Sequence, residues 1–433
     1  MKKLIRYINN NVLIEVAQLN SVTVGVRVLA GIITSKMIAV FIGVEGMALI
    51  GNLRNFVSAS HSFSILGIYR GLVKYISKYK KNSFRLSETI STAYYSGFFM
   101  TMFMAFTSYY NADSINKFLF SDYYNFDYII EIFALALPFY SINMFCFSIL
   151  NGFSKYKMLL VINIIGQVLG LLITILLIYQ NNIDGALISA VMAPSIIFLI
   201  TVIGIVNRKS LVSLVNIKDV NYNMLRRFSP YAVMAIVTTV AMPLTLIFIR
   251  NYIISSVGLV EAGYWEAMNR ISDYYLMFVN SIMALYIIPK FRDIHEKDLI
   301  KKELILLYKS IMPIIAIGMV IIFVLKGIII RIIFTPEFLP TENLFLWQML
   351  GDFLKIMAMI IAYQFIAKRM FFHFVIIEIF LILMLYLSSI LLVDMYGLQG
   401  AVIGHFVSYL MQFGIIVLIF SSSIFSVLPA SKE

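Results

Sequence analysis

Apolar residues in this chain fall into long blocks, and the blocks decide the class of protein. Each runs for about 20 to 28 residues, the length an α-helix needs to cross a bilayer. Short polar breaks, many carrying lysine or arginine, separate them. The limits lie near 18–42, 46–69, 88–110, 127–150, 157–180, 184–206, 228–250, 262–288, 307–330, 343–367, 372–393 and 397–421. No series of segments alternates with the period of two that barrel strands require. The pattern predicts an all-α polytopic membrane protein of about twelve transmembrane helices.

The pattern also repeats. GVEGMALIGNLRNF, which opens the second span, matches GLVEAGYWEAMNRI at the eighth, and Arg54 aligns with Arg270. IDGALISAV at 183–191 matches LQGAVIGHF at 398–406. Both offsets are close to half the chain. Six spans per half is an even number, so both halves enter the membrane from the same side and the repeat is parallel. The expected organisation is a six-helix lobe over residues 1–207, a cytoplasmic linker over 208–227 and a second six-helix lobe over 228–433. Two such bundles point to transport through a cleft that opens to either side in turn. Nothing resembles the symmetric filter of an ion channel.

Composition agrees with the membrane class. Of the 433 residues, 61% are hydrophobic and only 13% charged, against roughly 25% charged in soluble domains. The single cysteine, Cys146, excludes an intrachain disulfide and a cysteine metal site. The start, MKKLIRYINNN, is basic but lacks the apolar core of a cleavable signal. Residues 4–19 are expected to lie along the membrane surface as an amphipathic helix. The net charge of +12 is explained by loop charge rather than by nucleic acid. With the N-terminus placed in the cytoplasm, 24 of the 34 lysines and arginines fall on inside segments and four (Lys117, Arg250, Lys326 and Arg331) on outside ones. That asymmetry predicts both termini in the cytoplasm.

Six cations remain inside spans: Arg27, Lys36, Arg54, Arg270, Lys309 and Lys355. Lys309 sits near a span end and is read as snorkelling to the interface. A charge at mid-membrane costs several kcal/mol unless it faces a partner or a wet cavity. Arg270 with Asp273, and Asp352 with Lys355, are spaced three apart and can neutralise each other. Each pair is equally consistent with a structural or a cavity role. Arg27, Lys36 and Arg54 have no acid at helical spacing. Arg27 and Lys36, nine apart, point in opposite directions on a straight helix. His61 lies seven residues after Arg54 and is expected on the same face, although a lone histidine is more often simply packed. Unpaired cations in a low-dielectric cleft suit an anionic guest, and a guanidinium fork suits phosphate.

Other chemistry is missing from the sequence. It contains no phosphate-binding Walker loop, no HExxH and no GxSxG. The four histidines, His61, His295, His373 and His405, have no metal-ligand spacing. The expectation is a transporter, not an enzyme, without cofactor or metal.

The stretches SKMIAVFIGVEGMALIGNLRNF, GLVKYISKY, YWEAMNRISDYYLMFVNSIMALYIIPKF and LFLWQMLGDFLKIMAMIIAYQFIAK resemble the Wzx-type flippases of O-antigen and enterobacterial common antigen repeat units. They look most like the branch that moves lipid III. These flippases belong to the multidrug/oligosaccharidyl-lipid/polysaccharide exporter superfamily. The resemblance covers essentially the whole chain, except that the long segment before the first span departs from the branch. It implies alternating access through a cation-lined cavity in the bacterial inner membrane. The implied substrate is an undecaprenyl-pyrophosphate-linked oligosaccharide moved from the cytoplasmic to the periplasmic leaflet for cell-surface polysaccharide. Implied partners are a polysaccharide polymerase and a chain-length regulator. Matching positions for the cavity are Arg27, Lys36, Arg54, Arg270 and Lys355, with Asp273 and Asp352 as ion-pair or proton- or sodium-coupling sites; His61 is added from its place beside Arg54. Two alternatives are a cation-coupled drug exporter, which would favour cavity acids, and a polysaccharide polymerase, which would need a large outside loop.

Overall fold

A computed structural model of the chain describes residues 12–121, 124–205, 215–294, 297–367 and 370–424. The basic start, most of the expected linker and His295 lie outside the described residues. Every regular element among those described is helical. In order they are α1 (Val12–Phe41), α2 (Gly43–Ser64), α3 (Tyr69–Tyr79), α4 (Ser83–Tyr110), α5 (Ala112–Phe120), α6 (Asp127–Gly152) and α7 (Tyr156–Ile205). There follow α8 (Tyr222–Ala235), a π-helical turn over Ile236–Ala241, α9 (Met242–Ser256), α10 (Leu259–Asp293) and α11 (Lys297–Val324). The chain ends with α12 (Lys326–Ile333), a 3-10 stretch over Pro336–Leu344, α13 (Phe345–Ala367), α14 (Phe371–Tyr396) and α15 (Leu398–Ile424).

Eight of these stretches are apolar and long enough to cross a membrane on composition alone; α2, α4 and α10 fall outside that set. One stretch, Tyr156–Gly204, supplies two crossings, because α7 is broken at Asn182, whose φ is 48°. Counting α8 to α9 as one span, and including the more polar α2, α4 and α10, the described helices make twelve crossings, as the apolar pattern predicts. Residues 12–19 continue α1.

The repeat is visible in the turns. Asn182 in the first half and Gly397 in the second both take positive φ, 48° and 58°. Three residues after each comes a glycine held against backbone. A Cβ on Gly185 would lie 1.9 Å from the carbonyl oxygen of Leu177, and one on Gly400 would lie 1.9 Å from that of Leu392. Any larger residue must open the turn.

The compact units divide at Ile247, inside the seventh span, rather than at the expected linker. The cause is packing on the first unit. Met224 and Phe228 of α8 join Ile68, Leu72, Ile76, Leu86 and Ile90 in one core. Asn221 fastens the entry to α8: its backbone N–H donates to Thr92 Oγ1 at 2.9 Å, and its side chain donates to Glu88 at 2.8 Å. Phe228 is fully buried, so the contact is part of the fold of the first unit.

Candidate functional site

Two faces of the first unit carry its intramembrane cations. On α1, Val22, Leu29, Ile33 and Val40 stand exposed in one apolar stripe, as lipid requires. At about 100° per residue, Arg27 lies about 140° round from Val22, while Lys36 lies within about 40° of the stripe. Arg27 is exposed and Lys36 half-buried. The expected divergence of these two cations is therefore present, and only Arg27 is on the face away from the apolar stripe.

On α2 the exposed positions within the span are polar. Arg54 and Ser58, one turn apart, are exposed, with Asn55 and Ser62 half-buried beside them. No large apolar side chain of α2 is exposed. An open stripe that is polar, on a helix otherwise buried, suits water or a polar guest rather than lipid. Neither Arg27 nor Arg54 has an ion-pair partner among the described residues.

His61 does not join that stripe. It is 6% exposed, stacked on Tyr140 with ring centroids 3.5 Å apart and tilted against Phe133 at 5.6 Å. Seven residues bring the helix round to within about 20°, but at this end α6 covers that side. His61 is packed between Tyr140 and Phe133.

Arg270, the repeat partner of Arg54, is placed differently. It is 3% exposed and donates through Nε to Glu266 Oε1 at 3.0 Å. Arg250, 1% exposed, donates to the other carboxylate oxygen of Glu266 at 2.5 Å and lies over the Trp265 ring. Spacing alone pairs Arg270 with Asp273 and puts Arg250 on an outside segment. In the structure Glu266 bridges both arginines in a buried cluster, and Asp273 is exposed. Arg270 is thus buried against a carboxylate, where Arg54 is exposed. Glu266, four residues before it, was the legible signal. Arg250 had none, because nothing in the sequence shows that α9 packs its arginine on α10.

Asp352 is the centre of a second buried network. The carboxylate is 0% exposed and accepts from Ser272 and Tyr275 of α10. His405 of α15 approaches its other oxygen at 3.0 Å through Nε2, which also lies 3.3 Å from the Gln348 amide. The approach is possible because residue 351 is glycine: a Cβ there would sit 2.4 Å from His405 Cδ2. Lys355, expected to pair with Asp352, instead places its ammonium over the Tyr409 ring at 5.3 Å. Among the described residues these two make no ion pair. Asp352 is a single acid joining α10, α13 and α15. Among the described residues no group of histidine, cysteine and acids could hold a metal.

The family described as polysaccharide biosynthesis protein matches residues 17–295. The chain is 25% identical to the lipid III flippase of Escherichia coli (strain K12) over 393 residues, 90% of this chain and 94% of that protein. The lipid III flippase of Shigella flexneri matches to the same extent. Among solved structures, an inward-facing multidrug resistance MATE transporter of the MOP superfamily superposes with a TM-score of 0.71 at 14% identity, over 94% of this chain and 98% of that one. An outward-facing MATE structure gives 0.67 at 13% identity, over 95% and 96%. At such identities the likeness is one of fold, the twelve-helix, two-lobe arrangement.

Proposed function

We propose a function from one premise: this chain belongs to the polysaccharide biosynthesis protein family. It is a transport protein of the bacterial inner membrane, not an enzyme, and its cargo is a lipid-linked oligosaccharide. Its similarity to the lipid III flippases of two enterobacteria supports this reading. The observation that carries it is the open polar stripe of α2, with Arg54 exposed and, among the described residues, unpaired in a helix that shows lipid no apolar face. A guanidinium there binds the pyrophosphate of an undecaprenyl-pyrophosphate carrier by a bidentate, charge-assisted contact. Arg27, also exposed away from lipid, adds to the same positive potential. Bound anion neutralises these cations and permits alternating access, which moves the head group from the cytoplasmic to the periplasmic leaflet. The product serves O-antigen-type or enterobacterial-common-antigen-type assembly, and a polymerase and chain-length regulator act after it.

The deciding experiment is flipping of undecaprenyl-pyrophosphate-linked oligosaccharide in proteoliposomes. Arg54→Ala is expected to lower the rate at least about tenfold, as the loss of a charge-assisted contact of about 1.5–3 kcal/mol implies. Arg54→Lys should retain part of the rate, since it keeps charge but loses the fork. An Arg54→Ala protein that flips as fast as wild type would overturn the role.

The Asp352 network supports proton coupling. Ser272 and Tyr275 donate to the carboxylate and His405 lies against it, which crowds the site and favours a proton over a sodium ion. Adding a proton to Asp352 removes an acceptor site and forces α10, α13 and α15 to re-pair. Asp352→Asn is expected to abolish stimulation of transport by an imposed pH gradient. Undiminished stimulation would count against coupling at this site.

A further inference from the structure

Beside the polar stripe of α2 lies an apolar groove. It is narrow, with only about 40 Å³ of internal space, and is partly open to the surroundings. Ile65, Leu72, Gly97, Phe98, Ile142 and Phe145 give its character. Three local features keep the helices from closing it. The chain after α2 turns through left-handed Leu66 and Gly67, with φ of 51° and 56°. Pro138 interrupts α6. Gly97 on α4 has no side chain, and a Cβ there would meet nothing within 4 Å.

The chemistry of the lining selects the guest. The aliphatic hydroxyls that reach the groove are already engaged, and Tyr69 already accepts a bond. Thr101 donates to the Gly97 and Ser64 carbonyls, Ser148 donates to that of Met144, Ser141 pairs with Ser64, and Tyr69 accepts from Asn151. The Tyr69 and Tyr94 phenols keep a donor, but the rest of the lining is aliphatic and aromatic carbon, so the groove takes hydrocarbon. Its outer rim continues into the exposed face of α4 and α6, where Phe99, Phe103, Leu135 and Phe139 stand exposed, as for a lipid-facing wall. Ile65, also in its lining, caps the end of the helix that carries Arg54, Ser58 and Ser62, about 16 Å from Arg54 at 1.5 Å per residue.

From this continuity we infer that the groove between the turn after α2, the start of α3, α4 and α6 is the seat of the isoprenoid chain of the substrate, whose pyrophosphate is held at Arg54. The inference rests on the flippase reading and adds a second point of attachment. An amphiphile held at both ends is registered on one unit, with its head on the polar stripe and its tail in the bilayer-facing groove. An ordinary phospholipid has acyl chains for the groove but offers Arg54 only a phosphodiester.

The test measures binding of geranylgeranyl pyrophosphate, inorganic pyrophosphate and a dioleoyl phosphatidylglycerol probe to the full-length protein in nanodiscs. Gly97→Phe fills the groove from a position with room for it. It is expected to weaken geranylgeranyl pyrophosphate at least tenfold while leaving inorganic pyrophosphate unchanged. Arg54→Ala should weaken both. Loss with Arg54→Ala but none with Gly97→Phe overturns the groove and leaves the flippase reading standing. Equal loss of the phosphatidylglycerol probe in Gly97→Phe also overturns it, making the groove a general lipid site. No binding of either pyrophosphate to wild type removes the anion site as well, and the inference with it. A second measurement does not depend on the variant folding. A benzophenone-bearing prenyl pyrophosphate photolysed on wild type should label residues within 93–101 or 138–148, and labelling confined elsewhere refutes the assignment.

Discussion

Arg54 and Arg270 occupy equivalent places in a duplicated sequence and have opposite environments. The difference comes from two other positions. Four residues before Arg270 stands Glu266; four before Arg54 stands Ile50. Arg250 corresponds by the same offset to Thr34. The second half thus supplies an acid and a second arginine where the first half supplies neither. Glu266→Gln removes the carboxylate that two buried guanidinium groups share, and removing one partner of a buried ion pair typically costs about 3–5 kcal/mol. A clear fall in melting temperature is expected, measured on purified protein in detergent. Arg54→Ala, on an open face, should change stability by no more than about 0.5 kcal/mol. Ser58→Glu places an acid one turn from Arg54 on the same exposed stripe. It should depress flipping nearly as far as Arg54→Ala, with Ser58→Gln close to wild type; equal rates for the two would argue against an anion at Arg54. The cations were readable in the sequence as residues in the wrong solvent. Which of them is neutralised was not, because Glu266 and Asp273 are both at helical spacing from Arg270 and the choice is made by Arg250 from another helix.

At the scale of elements, the apolar blocks give the twelve crossings because burial in lipid needs about 20 apolar residues whatever the partner. The tight turns at Gly185 and Gly400 were also present in the repeated IDGALISAV and LQGAVIGHF. Gly400→Ala must displace the Leu392 carbonyl, and loss of folded yield together with a lower melting temperature is expected, of the order of 1–3 kcal/mol. A wild-type melting curve for Gly400→Ala would show that the turn opens freely. Less legible was the π-helical turn at Ile236–Ala241. Its local trace is Pro243, which has no N–H to return to the Thr239 carbonyl, but a proline in a span marks a disturbance without saying which kind. His61 shows the same limit. Helical spacing gives the direction of a side chain, while the neighbouring helix decides whether that direction is open. The groove beside Ile65 was invisible to periodicity, since it is made by what Gly97 lacks.

Across the whole molecule, sequence symmetry overstates functional symmetry. The first unit, which extends to Ile247, carries the open cations and the groove. The second carries the bridged arginines and the Asp352 network. The coupling prediction and the binding predictions therefore separate by unit. Asp352→Asn should leave geranylgeranyl pyrophosphate affinity within about twofold of wild type while removing the response to a pH gradient. Arg54→Ala should do the reverse. A parallel loss of both properties in both variants would mean that the units do not divide the work in this way.

The bridging of Arg250 and Arg270 by Glu266 has a consequence for how such chains diversify. None of the three can be exchanged singly without breaking a buried ion pair, so that cluster is frozen against gradual change. Arg54 and its exposed neighbours strand nothing when replaced. A lineage altering its surface sugars would rewrite the first half of the gene and conserve the second. A library aimed at new cargo would be built the same way, with one half randomised and the other left as chassis.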